Sequence, residues 1–324
     1  MLTALGKYRL KNGTDLKVYC LEPPEDSIFC TVLKELYMNK TDSSRRSIFS
    51  SLDGRYAGSS CDRYFFAAAG ESIAGALWYG FSRGSDKTAN FGHVYTRPDF
   101  RGMGIAGILL DHFKADISAS GVSAAFCTCS REWIAQMYRN IGFVPVEPGS
   151  APGQLMLPAA SPYPDFRDFA ADYYSQPESC TVVSGGMEHR HAIDCTGYFS
   201  GAFRRRKFLS AQTTANFRQG VFNLEDYGAD LLVWQDKRGN PYGWAFTGCL
   251  CDGLYCFDFS CHRMIGDEIR EHLIRDSLAR LSTGHTLTAA LASDELSNIK
   301  ILESCGFIRC GKLQGTVLMS RERT

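Results

Sequence analysis

Apolar positions in the first half of the chain change from a strand-like to a helix-like period and back again. Two apolar segments of strand length, residues 73–81 and 89–95, precede a helical spacing of apolar residues over 105–117. A short apolar run at 124–128 follows, and then a second helix that ends at Gly142-Phe143. Two further strand-like runs complete the pattern. It therefore predicts the order strand, strand, helix, strand, helix, strand, strand.

The second half of the chain repeats the same order. Apolar segments at 242–251 and 254–262 are joined by Asp252-Gly253, a strong signal for a two-residue hairpin turn. A helical spacing over 269–281 and another strand-like run come next. A final helix then runs into Gly306-Phe307, as the matching helix of the first half runs into its own Gly-Phe pair. The pattern indicates two copies of one architecture.

Residues that break regular structure mark the boundary between the copies. Proline and glycine at 148–153 predict a turn inside the last strand pair of the first copy, and a proline-rich segment follows it. We therefore place the domains at residues 1–158 and 165–324, with a linker at 159–164. Each domain is expected to open with a helical region.

Length and charge narrow the class of protein. A chain of 324 residues suits about two domains. Its 35 Lys and Arg balance 35 Asp and Glu, which argues against a partner such as nucleic acid or an anionic membrane. No apolar run reaches the length of a membrane span, and the first residues do not resemble a secretion signal. We therefore expect a cytoplasmic protein whose 13 cysteines are reduced.

The turn that enters the first long helix carries the sharpest chemical signal. Residues 101–106 read Arg-Gly-Met-Gly-Ile-Ala. The first amides of a helix have no intrahelical acceptor, and the helix dipole adds partial positive charge there. Gly102 and Gly104 would let a diphosphate approach those amides, and Arg101 adds a charge at the rim. A glycine-rich turn without a ligand is the alternative, and the turn lacks the Gly-Lys-Ser/Thr of a Walker motif.

This turn resembles a known motif. Arg101-x-x-Gly104-x-Ala106, after the strand phrase that begins at Val94, resembles motif A of the GNAT superfamily of N-acetyltransferases. Tyr138-x-x-x-Gly142-Phe143 resembles the end of that family's motif B. In detail the resemblance covers about residues 60–157. It implies an α/β (α+β) fold of two tandem GNAT-like domains, each with a mixed, mostly antiparallel sheet flanked by helices and a splayed, V-shaped cleft.

The resemblance also implies acetyl-coenzyme A (acetyl-CoA) as co-substrate and assigns roles to individual residues. The pyrophosphate would lie on the amides of Met103, Gly104, Ile105 and Ala106. The pantetheine arm would pair with the backbone of Tyr95, Thr96 and Arg97. Tyr138 matches the tyrosine that protonates the leaving thiolate in many members, and it would also contact the donor. Arg131 stands where many members have an asparagine that contacts pantetheine, so that contact is lost or Arg131 meets a phosphate instead. Tyr138 could also be no more than a half-buried aromatic that packs on the sheet.

A base is needed to take the proton of the attacking amine. His93 and Tyr95 are candidates because alternation places them on the same face of the splayed strand. His93 has an intrinsic pKa near neutrality, although a lone histidine more often packs or caps an edge. Glu132 could reach the cleft from the start of the following helix.

The second copy departs from the pattern at its functional positions. Arg263-x-x-Gly266 is retained, but Asp267 and Glu268 then stand where a pyrophosphate would bind, and like charges repel. Leu302 replaces the tyrosine. We therefore predict that residues 165–324 form a degenerate, non-catalytic GNAT-like domain.

Other sequence features indicate no metal. Cysteines crowd the hairpin of the second copy, and a two-residue turn would set Cys249 opposite Cys256. The hairpin contains no Cys-x-x-Cys pair, so the cysteines are expected to act as small apolar residues. The basic run at 204–207 is expected to be a solvated face.

The expected function is N-acetylation of a primary amine by direct attack in a ternary complex. The acceptor would be a small molecule or a peptide, recognised by the helices around residues 26–55. A transferase of a longer acyl or aminoacyl group and a non-catalytic acetyl-CoA sensor are the alternatives. Monomer and homodimer are both compatible with the sequence.

Overall fold

The computed structural model describes most of the chain. The described ranges are 1–25, 27–84, 88–146, 153–159, 163–194, 217–251, 254–281 and 286–322. The chain divides into two compact units, Met1–Phe169 and Ala170–Thr324. Most of the predicted turn at 148–153, part of the predicted linker, the basic run at 204–207 and the Asp252-Gly253 turn lie outside the described residues.

The first unit contains eight strands and four α-helices within its described residues. They are β1 (Leu2–Arg9), β2 (Asp15–Leu21), α1 (Ile28–Leu36), α2 (Asp42–Leu52), β3 (Ser60–Ala69), β4 (Ser72–Ser82), β5 (Thr88–Thr96), α3 (Ile105–Ala119), β6 (Ala124–Thr128), α4 (Glu132–Asn140), β7 (Val144–Pro145) and β8 (Gln154–Pro158). The predicted order of elements from β4 to β8 is confirmed. The unit does not open with a helix, however, because the β1–β2 hairpin comes first.

The strands of the first unit form one sheet in the order β1-β2-β3-β4-β5-β6-β8-β7. All neighbours are antiparallel except β5 and β6, which are parallel. Their pairing begins at Thr88 with Ala124 and ends at Asn90 with Phe126. Beyond Asn90 the described part of β5 has no partner on this side, so the sheet splays open there.

The sheet of the first unit separates two apolar cores. On one face, α1 and α2 cover a cluster that includes Phe66 and Trp78. On the other face, α3 and α4 cover a cluster that includes Phe65 and Tyr79. Successive strand residues point to opposite faces, so neighbours such as Phe65 and Phe66 enter different cores. We call these the α1–α2 face and the α3–α4 face.

A β-bulge interrupts β5 next to the splay. Trp78 pairs with Gly92 and Ala76 pairs with Tyr95, so Leu77 alone opposes two residues of β5. One of the two is His93, whose φ of 55° is left-handed. An extra residue in one strand reverses the alternation of the residues that follow it. The bulge therefore decides which side chains of β5 reach each face.

The second unit repeats the core of this arrangement. Its described elements are α5 (Phe166–Tyr173), which begins in the first unit, β9 (Thr181–Ser184), α6 (Arg190–Ala192), α7 (Phe217–Tyr227), β10 (Leu231–Gln235), β11 (Pro241–Cys251), β12 (Leu254–Cys261), α8 (Asp267–Arg280), β13 (Thr286–Ala292), α9 (Leu296–Ser304), β14 (Ile308–Leu313) and β15 (Thr316–Arg321). The sheet order is β14-β15-β13-β12-β11-β10-β9. Only β12 and β13 are parallel among the described pairs. Two mixed, mostly antiparallel sheets flanked by helices confirm the predicted fold class.

One expected strand register is wrong. Cys256 pairs with Gly248, and Cys249 pairs with Tyr255. A register shift between Cys249 and Cys251 displaces the strands by one position. The two cysteines are therefore not direct partners, since a one-residue slip changes the face of every side chain. None of the helices in the described ranges is both long and apolar enough to cross a membrane.

Candidate functional site

A cavity of about 560 Å³ opens in the first unit where β5 leaves β6. One wall is the turn and the first residues of α3, and the other is the first two turns of α4. Nine of the eleven predicted donor-binding residues line it: Tyr95, Thr96, Arg101, Gly102, Gly104, Ile105, Ala106, Arg131 and Tyr138. The splay therefore brings together residues from β5, from the turn and start of α3, and from α4.

The turn at the start of α3 has a backbone that favours glycine. Gly102 and Gly104 have φ values of 75° and 84°, in the left-handed region. A β-carbon built on either residue would have no other atom within 4 Å. The space over the turn is thus open, and the glycines are required by backbone conformation rather than by crowding.

Three amides at the start of α3 have no acceptor within the helix. The amide of Ile108 donates to the carbonyl of Gly104 at 3.2 Å, which is the first helical hydrogen bond. The amides of Ile105, Ala106 and Gly107 precede it and lie at the positive end of the helix dipole. This cavity wall can therefore hold an anionic group such as a diphosphate.

Hydrogen bonds and close packing hold the turn against the sheet. The amide of Arg97 donates to the carbonyl of Ala74 at 2.9 Å, and Nε of Arg101 donates to the carbonyl of Thr96 at 3.3 Å. A β-carbon at Gly75 would come within 2.9 Å of Ile105 Cγ2. The absence of a side chain at Gly75 therefore lets α3 approach β4 closely.

Two predicted donor contacts do not belong to the cavity lining. The guanidinium of Arg97 lies 5.7 Å from the centre of the Phe100 ring and pairs with Asp99 at 3.3 Å. The side chain of Met103 packs against the core of the α3–α4 face. At both positions only the backbone is available for the predicted role.

Tyr138 lies deep in the cavity, with 6% of its surface exposed. Its ring meets Phe91 edge-on at 5.2 Å and lies 5.6 Å from Phe143. Burial raises the pKa of the phenol, and the nearby thiols of Cys127 and Cys129 raise it further. The hydroxyl therefore keeps its proton at neutral pH and can donate it. It has no hydrogen-bond partner among the described residues.

His93 lies on the opposite, α1–α2 face of the sheet. Its ring is 5.1 Å from that of Trp78 and 5.7 Å from that of Tyr37. Tyr95 pairs with Ala76, which belongs to the same core, so His93 and Tyr95 share a face of the sheet. Neither Tyr138 nor Phe91 lies on that face. The candidate base and the candidate acid thus approach the splay from opposite sides.

Trp78 is fixed in place by a buried carboxylate. Its indole N–H donates to Asp62 at 2.7 Å, and the hydroxyl of Ser60 donates to the other carboxylate oxygen at 3.0 Å. Asp62 is only 6% exposed. The hydrogen bonds fix the indole against which His93 packs.

Three residues at or near the site were not predicted from the sequence, and one residue expected to reach the cleft does not reach it. Tyr37 and Asp62 carry no local motif that would mark them. Trp133 lines the cavity and could have been noticed as a tryptophan two residues after Arg131. Glu132 does not reach the cleft, because it is exposed and forms an ion pair with Arg139.

In the second unit, side chains form a bridge between the starts of α8 and α9, which correspond to the two helix starts beside the cavity. Arg270, 4% exposed, pairs with Asp267 and donates to Ser297 at 2.7 Å. The hydroxyl of Ser297 in turn donates to Asp267 at 2.5 Å. Ser297 is the second residue of α9, just as Trp133 is the second of α4. In the first unit the cavity lies between the same two helix starts.

Side chains suited to metal binding do not converge in the described part of the chain. No group of three or more His, Cys, Asp or Glu that could hold an ion occurs there.

A family model identifies the central part of the first unit. Residues 61–145 match the model described as an acetyltransferase (GNAT) domain. A comparison with curated protein sequences gave no match. The matched segment runs from β3 to β7 and contains the turn, both cavity helices and the bulge.

Solved structures of GNAT acetyltransferases resemble part of the chain. A phosphinothricin acetyltransferase from Sinorhizobium meliloti in complex with acetyl-CoA is 18% identical, with 44% of this chain and 88% of that chain covered and a TM-score of 0.35. A GCN5-related N-acetyltransferase from Kribbella flavida is 15% identical, with 45% and 99% covered and a TM-score of 0.37. A spermidine N-acetyltransferase variant from Vibrio cholerae is 14% identical, with 44% and 93% covered and a TM-score of 0.34.

Proposed function

Residues 61–145 match a GNAT acetyltransferase domain, and we propose on this basis that the first unit transfers an acetyl group from acetyl-CoA to a primary amine. One observation supports this above the others. One cavity is lined both by the first residues of α3, whose amides are open, and by the buried Tyr138. The amides suit the pyrophosphate of the donor, and the phenol suits its leaving sulfur.

The donor would bind along the wall formed by the turn and the free edge of β5. Its pyrophosphate accepts hydrogen bonds from the amides at the start of α3. Arg101 lines the cavity and has no carboxylate partner among the described residues, so its charge is available to a phosphate. The pantetheine arm pairs with the backbone from Tyr95 to Arg97, since β5 has its neighbour β4 on one side only there.

The amine attacks the carbonyl carbon of the thioester directly, and the C–S bond breaks as the amide forms. Backbone N–H groups of the bulged β5 stabilise the developing oxyanion, because a bulge leaves backbone groups outside the ladder. His93 or Tyr95 takes a proton from the amine on the α1–α2 face. Tyr138 donates a proton to the sulfur from the other face. General acid–base steps of this kind each contribute roughly 10²- to 10⁴-fold to a rate.

The acceptor would enter from the α1–α2 face, where His93 and Tyr95 lie. A small-molecule or peptide amine suits an approach between the bulge and the helices α1 and α2. The second unit is proposed to be non-catalytic, because Asp267 and Arg270 occupy its helix starts and Leu302 is fully buried at the position of the tyrosine. The ten cysteines whose side chains the structure describes are free thiols, which supports the proposal of a cytoplasmic protein.

Replacement of Tyr138 by phenylalanine tests the proposed reaction. Coenzyme A release is measured over a library of amines, and acetyl-CoA binding is measured at equilibrium. The expected result is a kcat at least about 100-fold lower with acetyl-CoA binding retained, because only proton donation is removed. Tyr64→Phe removes a buried phenol that bonds to Ser51, away from the cavity, and serves as the control.

Two results would contradict the proposal. Wild-type protein that binds no acetyl-CoA would exclude the donor. Wild-type protein that binds acetyl-CoA but turns over no amine would identify a sensor instead of an enzyme.

A further inference from the structure

One tryptophan, Trp133, differs from the other three of the chain in its exposure to solvent. Trp133 is 63% exposed, whereas Trp78, Trp234 and Trp244 are at most 5% exposed. Trp133 also lines the cavity. A large indole left open to solvent at a cavity rim is a surface on which a flat ring can stack.

An unpaired positive charge lies beside this indole. Arg131 lines the same cavity and is exposed. It has no carboxylate partner in the described ranges, whereas Arg139 of the same helix is paired with Glu132. A guanidinium without an acidic neighbour can bind a phosphate in a bidentate manner.

The depth of the residues along α4 sets the direction in which a donor would lie. Tyr138 is 6% exposed and Trp133, five residues earlier, is 63% exposed. A helix rises about 1.5 Å per residue, so Trp133 lies roughly 7 Å from Tyr138 along the axis of α4, towards the start of the helix. A donor whose thioester reaches Tyr138 and whose pyrophosphate lies on the turn must carry its nucleotide out past the rim.

We propose that Arg131 and Trp133 form a subsite for the 3′-phosphoadenosine end of the donor. This rests on the proposed function. The indole stacks on the adenine ring, and the guanidinium pairs with the 3′-phosphate. The subsite makes the enzyme select a nucleotide-linked thioester over the same thioester on a bare phosphopantetheine arm.

Equilibrium binding of three probes tests the subsite: coenzyme A, 3′-dephospho-coenzyme A and 4′-phosphopantetheine. Trp133→Ala should weaken binding of both nucleotide-containing probes about tenfold and leave phosphopantetheine unchanged, as expected for one lost base–aromatic stack. Trp133→Phe should restore part of the loss. Arg131→Gln should remove most of the wild-type preference for coenzyme A over its 3′-dephospho form.

Tryptophan fluorescence gives an independent measurement. Because Trp133 is the exposed indole, coenzyme A should quench the part of the emission that acrylamide can reach, and phosphopantetheine should not. Gln136→Ala is the control, since Gln136 lies on α4, bonds to Arg139 and Asn140, and is absent from the cavity lining.

The outcomes separate this proposal from the proposed function. Equal weakening of all three probes by Trp133→Ala would show that the indole contacts pantetheine, and it would overturn the subsite. Unchanged coenzyme A binding in both Trp133 variants would also overturn it, while acetyl transfer by the wild type would leave the proposed function intact. A wild type that binds no coenzyme A would overturn both.

Discussion

The hydroxyl of Tyr37 donates a hydrogen bond of 3.0 Å to the backbone carbonyl of His93. Tyr37 is 1% exposed and caps the end of α1, while His93 lies in the bulge of β5 with a φ of 55°. A left-handed backbone costs a residue with a β-carbon about 1–2 kcal/mol. This part-buried hydrogen bond helps to hold the conformation of His93, and it connects the end of α1 to β5.

Removing that hydroxyl should therefore affect both the stability of the fold and the rate of the reaction. Tyr37→Phe removes one part-buried hydrogen bond, which should lower the free energy of unfolding by about 1 kcal/mol. A small displacement of His93 should also lower kcat about tenfold, with the KM for acetyl-CoA little changed. Urea unfolding and steady-state kinetics measure the two effects.

Tyr64→Phe is the matched control for Tyr37→Phe. It removes another buried hydroxyl of the α1–α2 face, which bonds to Ser51 at 3.0 Å. A similar loss of stability with unchanged kcat is expected. If both variants lowered kcat equally, the effect would come from general loosening of this core and not from the bulge.

The identity of the base can be decided between His93 and Tyr95. A base must be deprotonated to act, so kcat/KM should fall at acid pH with the titration of the responsible group. If His93 is the base, His93→Gln lowers the plateau and removes the acid limb, whereas Tyr95→Phe keeps that limb. An acid limb that survives in His93→Gln and disappears in Tyr95→Phe would assign the role to Tyr95.

Local patterns in the sequence predicted much of the architecture. Alternating and helical periods identified the strands from β4 to β8 and the helices between them, because those elements bury one face each. The glycines at the start of α3 could also be recognised from the sequence, since a glycine-rich strand-to-helix turn is a local signal, but their left-handed backbone was not predicted.

The features that the sequence could not predict depend on tertiary contacts. Simple alternation would place Phe91, His93 and Tyr95 on one face. Because of the bulge, the ring of Phe91 packs against Tyr138 on one face and the ring of His93 packs against Trp78 on the other. An inserted residue has no signature in the period of the strand, so its position emerged only with the register.

The two units should respond differently to a carboxylate at the start of their long helices. Gly104→Asp would set a negative charge where the pyrophosphate is proposed to bind, so acetyl-CoA binding should fall more than about 100-fold. Gly104→Asn has nearly the same shape without the charge and tolerates a positive φ, so its loss should be several-fold. Gly266 has a φ of −65°, and Gly266→Asp should leave binding and transfer unchanged. Equal losses of acetyl-CoA binding in Gly104→Asp and Gly266→Asp would contradict the proposal that only the first unit binds the donor.

A histidine of the second unit should make the protein sensitive to mild acid. His262 is 4% exposed, and its ring stacks on Tyr174 at 3.9 Å. Burial, and secondarily the charge of Arg263, lowers the pKa of the imidazole to about 4. In the unfolded chain the same group titrates near 6.5.

The unfolded chain binds a proton at His262 more readily than the folded protein does, so acid favours unfolding. As the pH falls from about 6.5 towards 4, the unfolded chain protonates at His262 while the folded protein does not. Unfolding becomes easier throughout this window, by up to about 3 kcal/mol. The stability that depends on a neutral His262 is fully present above pH 6.5 and is lost by pH 4.

His262→Asn isolates this contribution. The amide of Met264 donates to Nδ1 of His262 at 3.2 Å, and the side-chain oxygen of asparagine can accept the same bond. Loss of the stack should destabilise the variant at neutral pH, but its stability should fall less between pH 6.5 and 4. Urea unfolding at several pH values gives the difference between the two proteins, in which the titration of carboxylates common to both cancels. Parallel stability curves for wild type and variant would show that His262 is not the titrating group.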